Sequence, residues 1–586
     1  MALQFLFGLS SVRLALAFDV PPGVKTWCGK AYRAEDSSFD PGGQLSPPKT
    51  NLSMPLLDLS FYPRMSLYLD DEKTGSFIVD APISFTSGLS LGNFSVEDEL
   101  NITIKNTLTG ERLVRWSTIR INSTGNEFPF NLSSLPARIA PYPVSILTTS
   151  PNGLETHQST SRLTILPTRN DTGSVSRIDH LYDALQVLSP LTHRTWKSIF
   201  PYSFYTSWDW IASTINNSSS TYNLSSFKAA GYNIIHPIPP GGTEPFNQTI
   251  LRKFLKICNE LELYIMYDMR HTYQNLSSIS SQLASLQPHP SLLLYYTADE
   301  PDGTSDPLNA TERSYNHIKS IDPYHPVSLV LNCENFFFEE YVKGTDIVLE
   351  DTYSIAANTS YSVVYHTPCN STYGDCGCDN CHALDRAYTE FAENAFLDIT
   401  TRVDTFYTYQ EWLGYGAKKP VWGAPQAFFD QGSFWDRFLT ADEHVVSSVL
   451  RLNHGVKGLV AWMFPTSDEL RDITGKLATV LTSPSVTEFI LGAERIPLLV
   501  NGGNGMIDAT AWARDRSILV SVVNMGYKDI AERVEVRLPG VGGWQFGMEA
   551  VIWGSREGWE VYNELTKEGV RGLEVGVFRL GFDIKG

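Results

Sequence analysis

The sequence predicts an α/β fold in which a (β/α)8 TIM barrel lies between N-terminal and C-terminal β-sandwich-like regions. Three features predict it. From about residue 195, eight short apolar runs alternate with amphipathic helical segments, the pattern a closed parallel barrel requires. An open doubly wound sheet usually carries a glycine-rich loop after its first strand, but Trp208-Asp209-Trp210 stands there. On either side of this stretch the chain reverts to strand alternation broken by Gly, Pro, Asn and Ser.

In chain order, residues from about 20 to 175 hold runs such as Leu100–Ile104, Val144–Leu147 and Arg162–Ile165, which alternate apolar with polar. The barrel strands are then expected near Phe200–Trp208, Tyr232–Pro237, Leu263–Met269, Leu292–Thr297, Val327–Asn332, Asp346–Leu349, Pro420–Gly423 and Gly458–Trp462. Between them, helices are expected at Ile250–Glu260, Leu276–Leu286, Thr311–Ser320, from near Ala383, and at Asp442–Leu452. In the last of these Val445, Val446, Val449 and Leu450 recur at helical spacing. Beyond about 490, Ile518–Val523 and Val534–Leu538 read as strands. The expected boundaries are a leader over 1–17, a β-rich region over 18–190, the barrel over 191–485 and a β-sandwich over 486–586.

A chain of 586 residues is too long for one ordinary core. With 42% apolar residues, 19% charged residues and a mean hydropathy of −0.14, it reads as soluble and globular. A formal charge of −19 argues against nucleic acid and anionic membranes as partners, because like charges repel. Aromatic residues make up 12% of the chain, thirteen of them Trp, and flat rings suit the faces of pyranose sugars. Large β-rich proteins carry many aromatics as well.

The N-terminus reads as a secretory signal: Leu3–Leu9 is mostly apolar, and Ala15-Leu16-Ala17 offers a small-x-small cleavage pattern. No Lys or Arg precedes the run, and Arg13 interrupts it. Fourteen N-x-[ST] sequons support export and imply N-linked glycans: Asn51, Asn93, Asn101, Asn122, Asn131, Asn170, Asn216, Asn217, Asn223, Asn247, Asn275, Asn309, Asn358 and Asn370. No later segment reaches 18 apolar residues, so the expected location is extracellular. Of seven cysteines, Cys369, Cys376, Cys378 and Cys381 cluster. In a reducing compartment, with His382 adjacent, they would suggest zinc; in a secreted chain they read as disulfides, so no metal or other cofactor is expected. Cys28, Cys258 and Cys333 remain, an odd number whose pairing the sequence leaves open, as it does the oligomeric state.

In a barrel, the loops after the strands build the active site. Those positions here hold Trp208, then Asp268, Arg270 and His271, then Asp299 and Glu300, then Glu350, Asp351 and Tyr353, then Trp422 and Gln426, and finally Trp462. An acid after a strand is often only a helix cap, but this many at one rim implies chemistry. Cleaving a glycosidic bond needs two carboxyl groups. Glu300 follows the apolar run Leu292–Tyr296, so desolvation would raise its pKa toward the acid/base role, with Asp299 as the alternative. Asp351, two strands away and therefore about 10 Å off at the backbone, is the expected partner; Asp268 is nearer. Tyr296 and Tyr353 are placed to hold a carboxylate. Trp208, Trp422 and Trp462 are candidates for sugar stacking or for barrel core.

The strand-four Ala-Asp-Glu-Pro (298–301), the strand-six Leu-Glu-Asp-Thr-Tyr-Ser (349–354) and the stretch His454–Phe464 together resemble the clan A (β/α)8 glycoside hydrolases over roughly residues 195–480. The resemblance implies a carbohydrate substrate and makes Glu300 the acid/base. Two departures stand out: Asp299 replaces the clan's Asn, and strand seven offers Gln426 and then Asp430 where the clan has its nucleophilic Glu. A Gln cannot attack. Either the second carboxylate comes from another strand, as in barrel glycosidases that pair strands four and six, or the chain is a sugar-binding barrel without turnover. No GxSxG elbow and no HExxH helix is present, so serine-esterase and zincin chemistry lack a basis.

Overall fold

A computed structural model describes residues 26–28, 30–31, 42–49, 55–90, 99–150, 153, 156–216, 222–241, 245–333, 336–357, 361–362, 367–368, 394–430, 435–540 and 544–584. The expected leader (1–17) and the cysteine cluster 369–381 lie outside them.

Eight parallel strands close into a barrel in strict chain order. They are Tyr202–Ser207, Ile234–Ile238, Tyr264–Asp268, Leu292–Asp299, Val327–Leu331, Ile347–Glu350, Val421–Gly423 and Leu459–Phe464, called strands one to eight below. Strand one pairs with strand eight, Tyr202 opposite Leu459, which closes the ring. Strands of such a barrel are buried on both faces, so they read as near-continuous apolar runs. Strand four shows the partition: Leu294 and Tyr296 pack with the interior cluster, while Leu292, Tyr295 and Ala298 pack outward against helices.

The helices bury one stripe each. In Gln248–Glu260 the buried residues are Leu251, Phe254, Leu255 and Cys258, an i, i+3, i+4, i+7 stripe. The helix Ala441–Asn453 starts at a capping box, Thr440 with Glu443. Strand one ends a residue earlier than expected. Trp208 opens the helix Trp208–Asn216, and its ring packs on Phe246 and Phe254, 4.5 and 5.8 Å away between centroids. The helix before strand seven spans Phe396–Trp412; the expected start near Ala383 falls outside the described residues.

Two β-rich layers flank the barrel. N-terminally, a five-stranded and a three-stranded sheet face each other across Phe77, Val79, Ile102, Ile104, Val144, Ile146 and Leu163. A further three-stranded sheet, Val175–Asp179 with Ala184–Leu188 and Lys197–Ile199, plugs the barrel's N-terminal end: its Ile178, Leu185 and Val187 join the interior cluster. The Ser174 hydroxyl also donates to the Leu292 carbonyl, at 2.5 Å, where strand four begins. C-terminally, a five-stranded and a four-stranded sheet enclose Ala511, Ile518, Val520, Val534, Val536, Phe578 and Leu580. They join the barrel at the end of helix Ala441–Asn453, where Arg495 donates to the Asn453 carbonyl (2.9 Å) and the Asn453 amide to Asp508 (2.5 Å).

A disulfide between Cys28 and Cys333 ties the N-terminal segment to the end of strand five. Cys258 is a buried free thiol. No helix among the described residues is long and apolar enough to cross a membrane.

Candidate active site

Strand four ends in a turn that fixes Glu300. Its backbone lies at φ 49°, a left-handed conformation uncommon for a residue with a Cβ, and such positions cost on the order of 1 kcal/mol. Two bonds hold the turn: the Glu300 N–H donates to the Val330 carbonyl (3.2 Å), and the Thr304 N–H to the Glu300 carbonyl (3.1 Å). The side chain then meets Asp351, just beyond strand six, and the two carboxyls share a hydrogen bond. Asn332, just past strand five, sits between them. Its Nδ2 donates to Glu300 Oε1 at 3.2 Å and, more weakly, to Asp351 Oδ1 at 3.5 Å.

Two acids in contact, Asp351 buried and Glu300 half-buried, oppose each other's ionisation. Burial raises the pKa of both, and for Asp351 the Glu300 charge adds to it, carrying that carboxyl well above its usual value. The hydrogen bond with Asp351 opposes the rise at Glu300. The pair therefore keeps a proton to higher pH than free carboxyls do. Tyr353, largely buried, faces it: burial first, then the charges of Asp351 and Glu300, raise its phenol pKa.

Asn332 is held on every side. Asp302 accepts the backbone N–H groups of Asn332 (3.2 Å) and Cys333, Arg402 donates to the Asn332 carbonyl, and Cys333 carries the disulfide. Asp302 is fully buried; burial lifts its pKa to about 7 against those two hydrogen bonds.

The remaining acids are committed elsewhere. Asp268 and Asp299 belong to an ion network over strands two to four: His236 Nε2 lies 2.8 Å from Asp268, Arg270 Nε donates to Asp268 (2.7 Å), and Arg270 Nη1 to Asp299 (2.6 Å). The Tyr296 hydroxyl also donates to Asp299, at 2.5 Å. Burial alone would raise the Asp268 carboxyl, but the Arg270 charge and the His236 hydrogen bond outweigh it and hold it low; burial keeps His236 neutral. The rings of Trp462, Tyr205 and Tyr296 surround the Arg270 guanidinium at 5.3–5.5 Å. Asp299 is thus tied to Arg270 and Tyr296, whereas its neighbour Glu300 faces Asp351.

Several expected site residues fall outside the mouth. Glu350 points away from its neighbour Asp351 into a fully buried pair with Arg451 (Nε to Oε1 2.5 Å, Nη2 to Oε2 3.2 Å), so its charge is spent inside the fold. Trp422 is completely buried in the barrel interior and Trp208 nearly so between helices, so neither exposes a face for stacking. Trp462 is half-buried, its ring 5.3 Å from the Arg270 guanidinium carbon. His271 is exposed on the loop after strand three. Gln426 bridges to Trp462 in parallel register, and its buried amide O and N have no hydrogen-bond partner among the described residues. Asn332 and Arg451 were not anticipated. The strand-end rule, applied to strand five, would have named Asn332; a buried Arg on a helix leaves no such trace.

No family model and no curated protein matches the sequence. Among solved structures, the chain is similar to a β-glucuronidase from Parabacteroides merdae, at 10% identity over 90% of this chain and 76% of that one, with a TM-score of 0.31. It is also similar to a maltogenic α-amylase from Thermotoga neapolitana, at 11% identity, covering 65% of this chain and 98% of the other, with a TM-score of 0.42. A debranching enzyme from Nostoc punctiforme gives 10%, 65%, 96% and 0.38 for the same four quantities.

Proposed function

We propose that this chain is a secreted, N-glycosylated glycoside hydrolase in which Glu300 and Asp351 do the chemistry. One observation carries the reading: two carboxyls from strands four and six meet at the barrel mouth, bridged by the Asn332 amide, where burial and each other's charge favour the protonated form. The protonated member supplies a general acid to the glycosidic oxygen, and the ionised member supplies the nucleophile. A substrate entering here exchanges the carboxyl–carboxyl bond for bonds to its own oxygens and parts the two groups. Their contact lies nearer the spacing of retaining enzymes, about 5–5.5 Å, than that of inverting ones, about 6.5–9.5 Å, which supports double displacement. Arg270 is already bound to two aspartates, which supports neutral sugars over uronic acids as substrate.

The test is release of reducing sugar or aglycone from a panel of aryl glycosides, uronides included, and polysaccharides. Glu300→Gln, folded by circular dichroism, is expected to lose at least about 10²-fold in kcat. Turnover near that of the parent refutes the assignment. A second reading, a sugar-binding barrel without turnover, is favoured by the Gln at strand seven and by carboxyls that close the space between them. Glycan binding with no product from any substrate would establish it.

A further inference from the structure

Three sequon asparagines stand at equivalent places in the barrel. Asn247 caps the helix Gln248–Glu260 after strand two, Asn275 caps Leu276–Leu286 after strand three, and Asn309 occupies the cap position of Ala310–Ile321 after strand four. A helix that follows a parallel strand begins at the carboxyl end of that strand, so all three lie on the face that holds Glu300 and Asp351. Asn is favoured at caps for its side-chain oxygen alone, and Ser and Thr are common nearby, so a capping sequon can be coincidence. The geometry goes further than that. Asn247 accepts from the Thr249 and Ile250 N–H groups through Oδ1 (3.0 and 3.2 Å), and Asn275 accepts from Ser278 N–H (3.2 Å) through the same atom. In Asn247 and Asn275 capping thus uses the oxygen and not Nδ2, the atom that is glycosylated, while Asn309 makes no side-chain cap bond. All three residues are exposed.

We propose that Asn247, Asn275 and Asn309 carry N-linked glycans that fence the barrel mouth over strands two to four, so that substrate enters over strands seven and eight. The loops after strands seven and eight hold no sequon, and Trp462 of strand eight lies half-buried beside Arg270 there. In the modification, Nδ2 displaces a lipid pyrophosphate from the anomeric carbon of a lipid-linked oligosaccharide. The N–C bond forms, the C–O bond to phosphate breaks, and the amide loses one proton. The proposal rests on the exported, sugar-cleaving reading above. Fenced on one side, the mouth favours small glycosides and chain ends over the middle of a long polymer.

The full chain, secreted from a eukaryotic host, is treated with peptide N-glycosidase in ¹⁸O-water and mapped by mass spectrometry. ¹⁸O-labelled Asp is expected at 247, 275 and 309; an unmodified Asn at any of the three overturns the fence. Label at Asn122, Asn131 and Asn170 without the rim positions would do so while sparing the exported reading. The triple variant Asn247→Asp, Asn275→Asp, Asn309→Asp keeps a capping oxygen but no sequon. Its activity on polysaccharide relative to an aryl glycoside is expected to rise at least about 5-fold; an unchanged ratio overturns the proposal. If nothing is cleaved, retardation of the two proteins in a polysaccharide gel reads the same ratio, and only the catalytic reading falls.

Discussion

Glu350 and Asp351 are chain neighbours with opposite fates. Glu350 ends strand six inside the fold and faces Arg451, which forms two bonds to it. Asp351, one residue later, turns to the mouth and meets Glu300, with Asp302 and Asp299 adding further negative charge. Both carboxyls are nearly inaccessible to water. What separates them is compensation: a buried acid met by a bidentate cation serves structure, while one facing other acids is pushed toward its protonated form and can take part in chemistry. Burial by itself identifies neither role.

The sharpest way to break this contrast is Glu350→Gln. It strands the Arg451 charge in the interior, and urea unfolding should show a loss of about 3–5 kcal/mol. A loss below about 1 kcal/mol would mean that Arg451 finds other partners and that the pairing matters little. Asp351→Asn should do the reverse. Unfolding stability is expected to stay within about 1 kcal/mol of the parent, because the amide can keep a hydrogen bond to Glu300, while kcat on the best glycoside of the panel falls at least about 10²-fold. Equal stability losses in both variants would abolish the distinction.

A subtler test sharpens it through Asp302, a fully buried acid beneath the mouth that accepts the backbone N–H groups of Asn332 (3.2 Å) and Cys333. Its folded pKa of about 7 lies above the unfolded value of about 3.9, so between those values the folded chain binds more protons than the unfolded one. Its contribution to stability is therefore lost as pH rises from about 4 through about 7. Melting temperatures across that window should decline less steeply in Asp302→Asn than in the parent. Parallel curves would place the ionisation elsewhere.

Much of the scaffold was legible in the chain. Strand four announces itself because a strand buried on both faces is apolar throughout, and the helix Gln248–Glu260 because one buried stripe imposes a 3.6-residue period. The rule that strand ends build the site names Glu300 and Asp351, whose carboxyls the fold brings together. It also named Trp422 and Glu350, because it locates a residue along the strand without giving the face on which its side chain emerges. Only the closed ring decides that Trp422 fills the interior while Trp462 keeps a face toward Arg270.

The alternation of apolar runs, set by burial one residue at a time, fixed the barrel, its flanking sheets and the rim on which acids collect. Which acids meet a cation and which meet one another was decided by tertiary structure. Arg451 reaches Glu350 across a separation of 101 residues, and Asn332 reaches Glu300 across 32. Coulomb and hydrogen-bond terms act over a few ångströms in space, a proximity that spacing along the chain does not encode.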